Sequence, residues 1–134
     1  MSCGAKLVII VDDDQAVRNA LKFSLELEGL CVRSHPTAEE ALADADLPAA
    51  GCLVVDQYMP GLSGMDFLRE LGLRGVDVPA ILITARASDD LRRRADCAGF
   101  CQVLEKPLED GGLLDAIREA LTEPAYVESL TETI

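Results

Sequence analysis

The 134-residue chain has no tryptophan, 4% aromatic residues and a single histidine, His35. So few rings leave little for base stacking, and a formal net charge of -12 repels phosphate backbones, so the composition argues against direct contact with nucleic acid. No apolar run approaches the roughly 20 residues that span a bilayer, so no membrane segment is expected. The first run, Leu7–Val11, passes straight into three aspartates instead of a small-residue cleavage site. A secretory signal is therefore not expected, and the location read from the sequence is cytoplasmic. No CxxC pair occurs, and the five cysteines Cys3, Cys31, Cys52, Cys97 and Cys101 are an odd number scattered through apolar segments. That pattern argues against a disulfide framework, leaves zinc without a ligand set, and predicts buried free thiols. No glycine-rich loop follows the first apolar run, which removes the phosphate cradle of a nucleotide-binding enzyme.

What the chain does have is alternation. Strand-type apolar stretches recur at residues 7–11, 30–33, 52–55, 80–84 and 101–104, each followed by a segment with helical spacing. Val17, Leu21 and Leu25 share one face of a helix expected over residues 15–28, with Gly29 placed to stop it. Thr37 with Glu40, and Ser63 with Asp66, mark the starts of the second and third helices. Ser88 caps a fourth that carries Leu91 and Ala95, and Leu113, Leu114, Ile117 and Leu121 stripe a fifth. Five strands alternating with five helices predict an α/β fold of (βα)5 type, a mainly parallel sheet with helices on both faces and right-handed crossovers. Ligand sites in such sheets lie outside the carboxyl ends of the strands.

The residues at those ends carry the chemistry. The first strand ends in Asp12-Asp13-Asp14, the third in Asp56, the fourth in Thr84, and the fifth runs into Lys106-Pro107. Taken singly they are ordinary: a helix cap, a β-favouring threonine, a solvated lysine. On one edge they form a carboxylate cluster that repels itself unless a cation intervenes, and oxygen-only ligands suit Mg²⁺. Lys106 adds a point charge and Thr84 a hydroxyl donor for a phosphoryl group.

The motifs VDDD, VVDQYMPGLSG, ILITA and LEKP, in that order, resemble the receiver domain of bacterial two-component response regulators over nearly the whole chain. The resemblance implies a doubly wound, flavodoxin-like five-stranded sheet of order 2-1-3-4-5, and phosphoryl transfer from a sensor histidine kinase or phosphotransfer protein to Asp56. It also implies Mg²⁺ held by Asp12, Asp13, Asp56 and the Tyr58 backbone carbonyl, with Thr84 and Lys106 on the phosphoryl group. A cis Lys106-Pro107 bond and a switching face made by the fourth helix, fifth strand and fifth helix belong to the same expectation. Val103 stands where the family usually has an aromatic switch residue, so its coupling partner to Thr84 differs. Phe100 is not expected to substitute, because an odd offset along a strand reverses the face. Tyr58 and Arg86 flank the pocket with bulk and are expected to shield an aspartyl phosphate from water.

The receiver is expected over residues 1–121, with 122–134, which includes Pro124, as a short tail or the start of a linker. Arg92-Arg93-Arg94 on the fourth helix could meet acidic residues of a second copy's fifth helix, or form a solvated face. The chain reads as a signalling phosphoacceptor and not an enzyme. An aspartate-nucleophile phosphatase would need a second Asp where Tyr58 stands. Two readings stay open beside a stand-alone receiver: the receiver of a longer DNA-binding transcription factor, and a non-phosphorylated pseudo-receiver.

Overall fold

The computed structural model describes residues 7–108 and 111–133, with side chains up to residue 122 apart from 109–110. Five strands, β1 (Leu7–Val11), β2 (Cys31–His35), β3 (Cys52–Asp56), β4 (Ala80–Thr84) and β5 (Gln102–Glu105), alternate with helices α1 (Gln15–Leu27), α2 (Ala38–Leu42), α3 (Gly64–Leu73), α4 (Asp89–Ala98) and α5 (Gly112–Thr133). All strand pairs are parallel, as the alternation of strands and helices predicts, and the order is β2-β1-β3-β4-β5, as the receiver-domain resemblance implies.

The three central strands are buried along their whole length, which is why LVIIV, CLVVD and AILIT are almost uninterrupted aliphatic runs. Alternation divides each between two cores. Ile9, Val11, Leu53, Val55 and Leu82 pack under Phe67, Leu71 and Leu91 of α3 and α4. Val8, Ile10, Val54, Ile81 and Ile83 pack under Leu25, Leu113 and Ile117 of α1 and α5. Because β1 has β2 on one side and β3 on the other, the winding reverses at β1, and a crevice opens beyond the carboxyl ends of β1 and β3.

Local signals fix where the helices begin. Asp14 accepts the N–H groups of Ala16 and Val17, Thr37 that of Glu40, and Ser88 that of Leu91. Ser63 and Asp66 form a reciprocal capping box. Gly64 must lack a side chain: a Cβ there would lie 2.7 Å from Leu82 Cδ1 and 2.8 Å from the Asp56 carbonyl oxygen. The tight fit brings the start of α3 directly against the end of β3.

The structure departs from the sequence reading in four places. Of the thiols, Cys52 is buried, but Cys97 and Cys101 are exposed and Cys31 is disulfide-bonded; Cys3 lies outside the described residues. Cys97 sits on the solvent side of α4, and Cys101 precedes β5 instead of belonging to it. Phe100 also precedes β5, so strand alternation does not reach it, and it packs in the same core as Val103. β2 and β5 each start one residue later than the apolar pattern suggests. Finally, α5 continues past Leu121 and Pro124 to Thr133, so the residues read as a tail prolong the helix. A proline removes one helical hydrogen bond, and here the backbone remains helical on both sides of it. Among the described residues no helix is long and apolar enough to cross a membrane.

Candidate functional site

Asp12 is fully buried at the end of β1, and its backbone explains how a carboxylate is held there. Its N–H donates to the His35 carbonyl (3.1 Å), extending the β1–β2 ladder by one rung. Its carbonyl accepts from the Arg18 guanidinium (2.7 Å), and its Oδ1 accepts the Asp14 N–H (2.9 Å). Asp14 in turn caps α1, so the sequence DDD assigns three tasks: an inner carboxylate, an exposed carboxylate at Asp13, and a cap.

Asp56, 5% exposed at the end of β3, completes the floor. One carboxylate oxygen from each of Asp12, Asp13 and Asp56 lies within 4.8 Å of the others. Lys106 reaches in from the end of β5, with Nζ 3.1 Å from Asp12 Oδ2 and 3.6 Å from Asp56 Oδ1. Its backbone is set by a 2.8 Å bond from its N–H to the Thr84 carbonyl, and the Lys106-Pro107 peptide is cis.

The electrostatics follow from that crowding. Burial, then the charge of Asp12 and to a smaller extent that of Asp13, push the Asp56 carboxyl up to about 6, against the pull of Lys106 and a hydrogen bond from the Tyr58 N–H. For Lys106, burial acts to lower the pKa, but the hydrogen bond and charge of Asp12 together with the charge of Asp56 outweigh it and raise the pKa. Three carboxylates face one ammonium. The set is oxygen-only and under-neutralised, which fits a hard divalent cation such as Mg²⁺.

The other predicted residues surround this floor. Thr84 is fully buried and its hydroxyl is engaged in the turn that follows β4, donating to the Arg86 carbonyl and accepting the Arg86 N–H, both at 3.3 Å. The Tyr58 side chain is 60% exposed and Arg86 is exposed, so both stand at the rim. Val103 is half-buried, and its carbonyl accepts from Arg92 at 3.2 Å.

Sequence reading missed the groups that hold the frame. Arg18 is one; its signal is a cation in the first turns of the helix that Asp14 caps. Gln57 is another: its Oε1 accepts the Met65 N–H (3.1 Å) and its carbonyl the Gly64 N–H (3.0 Å), tying the end of β3 to α3. Glu39 of α2 accepts the Leu62 N–H at 3.4 Å, closing over Gly61. No local pattern marks Glu39, which meets the loop only through the fold.

Comparison with known proteins agrees with this fold. The family model for the response regulator receiver domain matches residues 8–118. The chain is 40% identical over 119 residues to the transcriptional regulatory protein FixJ of Azorhizobium caulinodans, covering 88% of this chain and 56% of the relative. It is 37% identical over 121 residues to the response regulator protein TodT of Pseudomonas putida, covering 90% and 53%. The chain thus spans about half the length of these curated relatives. Among solved structures, the crystal structure of FixJ-N superposes with a TM-score of 0.77 at 36% identity, covering 86% of this chain and 92% of that one. The response regulator StyR gives 0.81 at 35% identity, covering 95% and 64%. With its sheet order, its strand-end carboxylates and these relatives in agreement, the chain belongs to the receiver domain family of two-component response regulators.

Proposed function

We propose that Asp56 accepts a phosphoryl group from the phosphohistidine of a sensor histidine kinase or phosphotransfer protein. The observation that carries this is the convergence of Asp12, Asp13 and Asp56 within 4.8 Å, with Lys106 within reach of two of them. An oxygen of Asp56 attacks phosphorus, the P–N bond breaks, and the imidazole leaves with the electron pair and is protonated from solvent. The product is an aspartyl phosphate. Asp12, Asp13, Asp56 and the Tyr58 carbonyl would hold Mg²⁺, which supplies positive charge against the phosphoryl oxygens.

The chain's own groups do the rest. Lys106 already spans Asp12 and Asp56, so a small movement brings its ammonium to a phosphoryl oxygen and neutralises charge that grows in the transition state. The Thr84 hydroxyl exchanges its bonds within the Arg86 turn for one to the phosphoryl group. That exchange biases the face of α4, β5 and α5, with Val103 in place of an aromatic residue, and the altered face meets a protein partner, a second copy included. Tyr58 and Arg86 close over the product and slow its hydrolysis.

The chain acts on this reading as a signalling phosphoacceptor in the cytoplasm, with no direct hold on membrane or nucleic acid, in keeping with its charge of -12. Incubation with Mg²⁺ and a small phosphodonor such as acetyl phosphate is expected to add one phosphoryl mass to the wild type and none to Asp56→Asn. Labelling of the variant at the wild-type rate excludes Asp56 as the acceptor, and no labelling of either protein favours the pseudo-receiver.

A further inference from the structure

One sequence motif, Arg92-Arg93-Arg94, meets the site above only through Arg92, and the fold splits it. Arg92 donates to the Val103 carbonyl of β5, whereas Arg93 and Arg94 line a cleft of about 710 Å³ between α3 and α4, together with Arg69 of α3. Gln57, Ser63 and Asp66 form part of its wall. Three guanidiniums from two helices therefore share one concavity on a chain with 24 acidic and 12 basic residues.

Their partners do not balance them. Arg93 Nη2 lies 2.8 Å from one oxygen of Asp90 and Arg94 Nε 3.1 Å from the other, so a single carboxylate serves both. Arg69 lies 3.9 Å from Asp66, beyond hydrogen-bonding distance. All three pairs are exposed and sit within single helices, the kind that contributes little and yields readily to a competing anion. The first N–H groups of α3 are already taken by Gln57 and Ser63, so the guanidiniums are the available donors. Each presents a planar fork that pairs with phosphate or carboxylate through two bonds at once. The volume falls in the range of small-molecule sites.

We propose that the α3–α4 cleft binds a small organic polyanion bearing two or more phosphate or carboxylate groups. The site is separate from the Asp56 pocket, whose carboxylates repel such a molecule in the absence of metal, and the inference stands whether or not Asp56 is phosphorylated.

The test is titration of the metal-free chain with pyrophosphate and with citrate at moderate salt, followed by calorimetry and by amide chemical shifts. Saturable binding is expected for at least one of them, with shifts at Ser63, Asp66, Arg69 and residues 93–98. Affinity should fall at least tenfold in the triple variant Arg69→Ala, Arg93→Ala, Arg94→Ala, whose unfolding midpoint should match the wild type, and should be unchanged in Lys106→Ala. Binding of pyrophosphate alone identifies the ligand class as phosphates, and binding of both as polyanions generally. Non-saturable binding, affinity retained in the triple variant, or affinity lost in Lys106→Ala overturns the proposal.

Discussion

Each carboxylate of the pocket has a different environment although two are neighbours in sequence, and the differences predict different mutant behaviour. Asp56 titrates near 6, above the ordinary 3.8, because burial and Asp12 oppose its charge. Below about pH 4 the folded and unfolded chains both keep this proton. Between about pH 4 and 6 the unfolded chain gives it up first, so stability falls as pH rises, and above about 6 the full cost is present. That cost is about 2 to 3 kcal/mol, trimmed in a variant by the lost attraction to Lys106. In metal-free buffer, Asp56→Asn should therefore be more stable than wild type at pH 7.5 and nearly equal to it at pH 4, read from urea midpoints; equal midpoints at pH 7.5 would remove the electrostatic account.

Arg18 and Lys106 both touch Asp12 but act on different parts of it. Arg18 holds the carbonyl, and through it the path of the chain into Asp13. Lys106 pairs with the carboxylate. Asp13→Ala should abolish measurable Mg²⁺ binding, and Arg18→Ala should weaken it several-fold with the ligands all present, since a misplaced loop costs affinity without removing charge from the ion. Lys106→Ala should spare Mg²⁺ affinity and impair phosphorylation. A Mg²⁺ titration of the three variants checks this, and unchanged affinity in Asp13→Ala would contradict the metal assignment.

Among the elements, β2 is joined to the turn that follows α2 by an ion cluster that lies apart from the pocket. Asp44, nearly buried, accepts from Arg33 Nη1 at 2.7 Å, from the Asp46 N–H at 2.9 Å, and pairs with His35 Nε2 at 2.9 Å. Burial acts to raise its pKa, but the bonds from Arg33, His35 and Asp46 prevail and hold it at about 2. A depressed carboxyl stabilises the fold above its ordinary value, and that contribution disappears as pH falls from about 4 through 2. Asp44→Asn should cost about 1 to 2 kcal/mol at pH 7, allowing for the half-exposed Arg33, and much less near pH 2. Denaturation at the two pH values measures the difference.

On the proposed function, the loops after β3 and β4 would set the lifetime of the product. Tyr58 and Arg86 stand exposed in these loops, two residues beyond Asp56 and Thr84. Water must approach an aspartyl phosphate in line with the leaving carboxylate, so side chains over that path slow hydrolysis. Tyr58→Asn with Arg86→Ala should shorten the lifetime about tenfold, equivalent to about 1.4 kcal/mol of barrier. Equal decay of phosphorylated wild type and double variant would leave both residues as rim groups only.

Over the whole molecule, the apolar runs and caps determine the strands and helices because each signal is local. A strand buried on both faces must be continuously aliphatic, a helix start must satisfy its own N–H groups, and both leave a trace within a few residues. Asp12, Asp13, Asp56, Thr84 and Lys106 were legible for the same reason: each ends or follows a strand, and a parallel sheet brings all such ends to one edge. The tertiary structure alone decided how they are used. Arg18 on the Asp12 carbonyl, Glu39 over Gly61, the exposure of Cys97 and Cys101, and the division of Arg92 from Arg93 and Arg94 all depend on which element lies opposite. Periodicity states which face of its own helix or strand a residue occupies. It carries no record of what packs against that face, because those contacts join segments distant in the chain and are set only when the sheet and its two helical layers assemble.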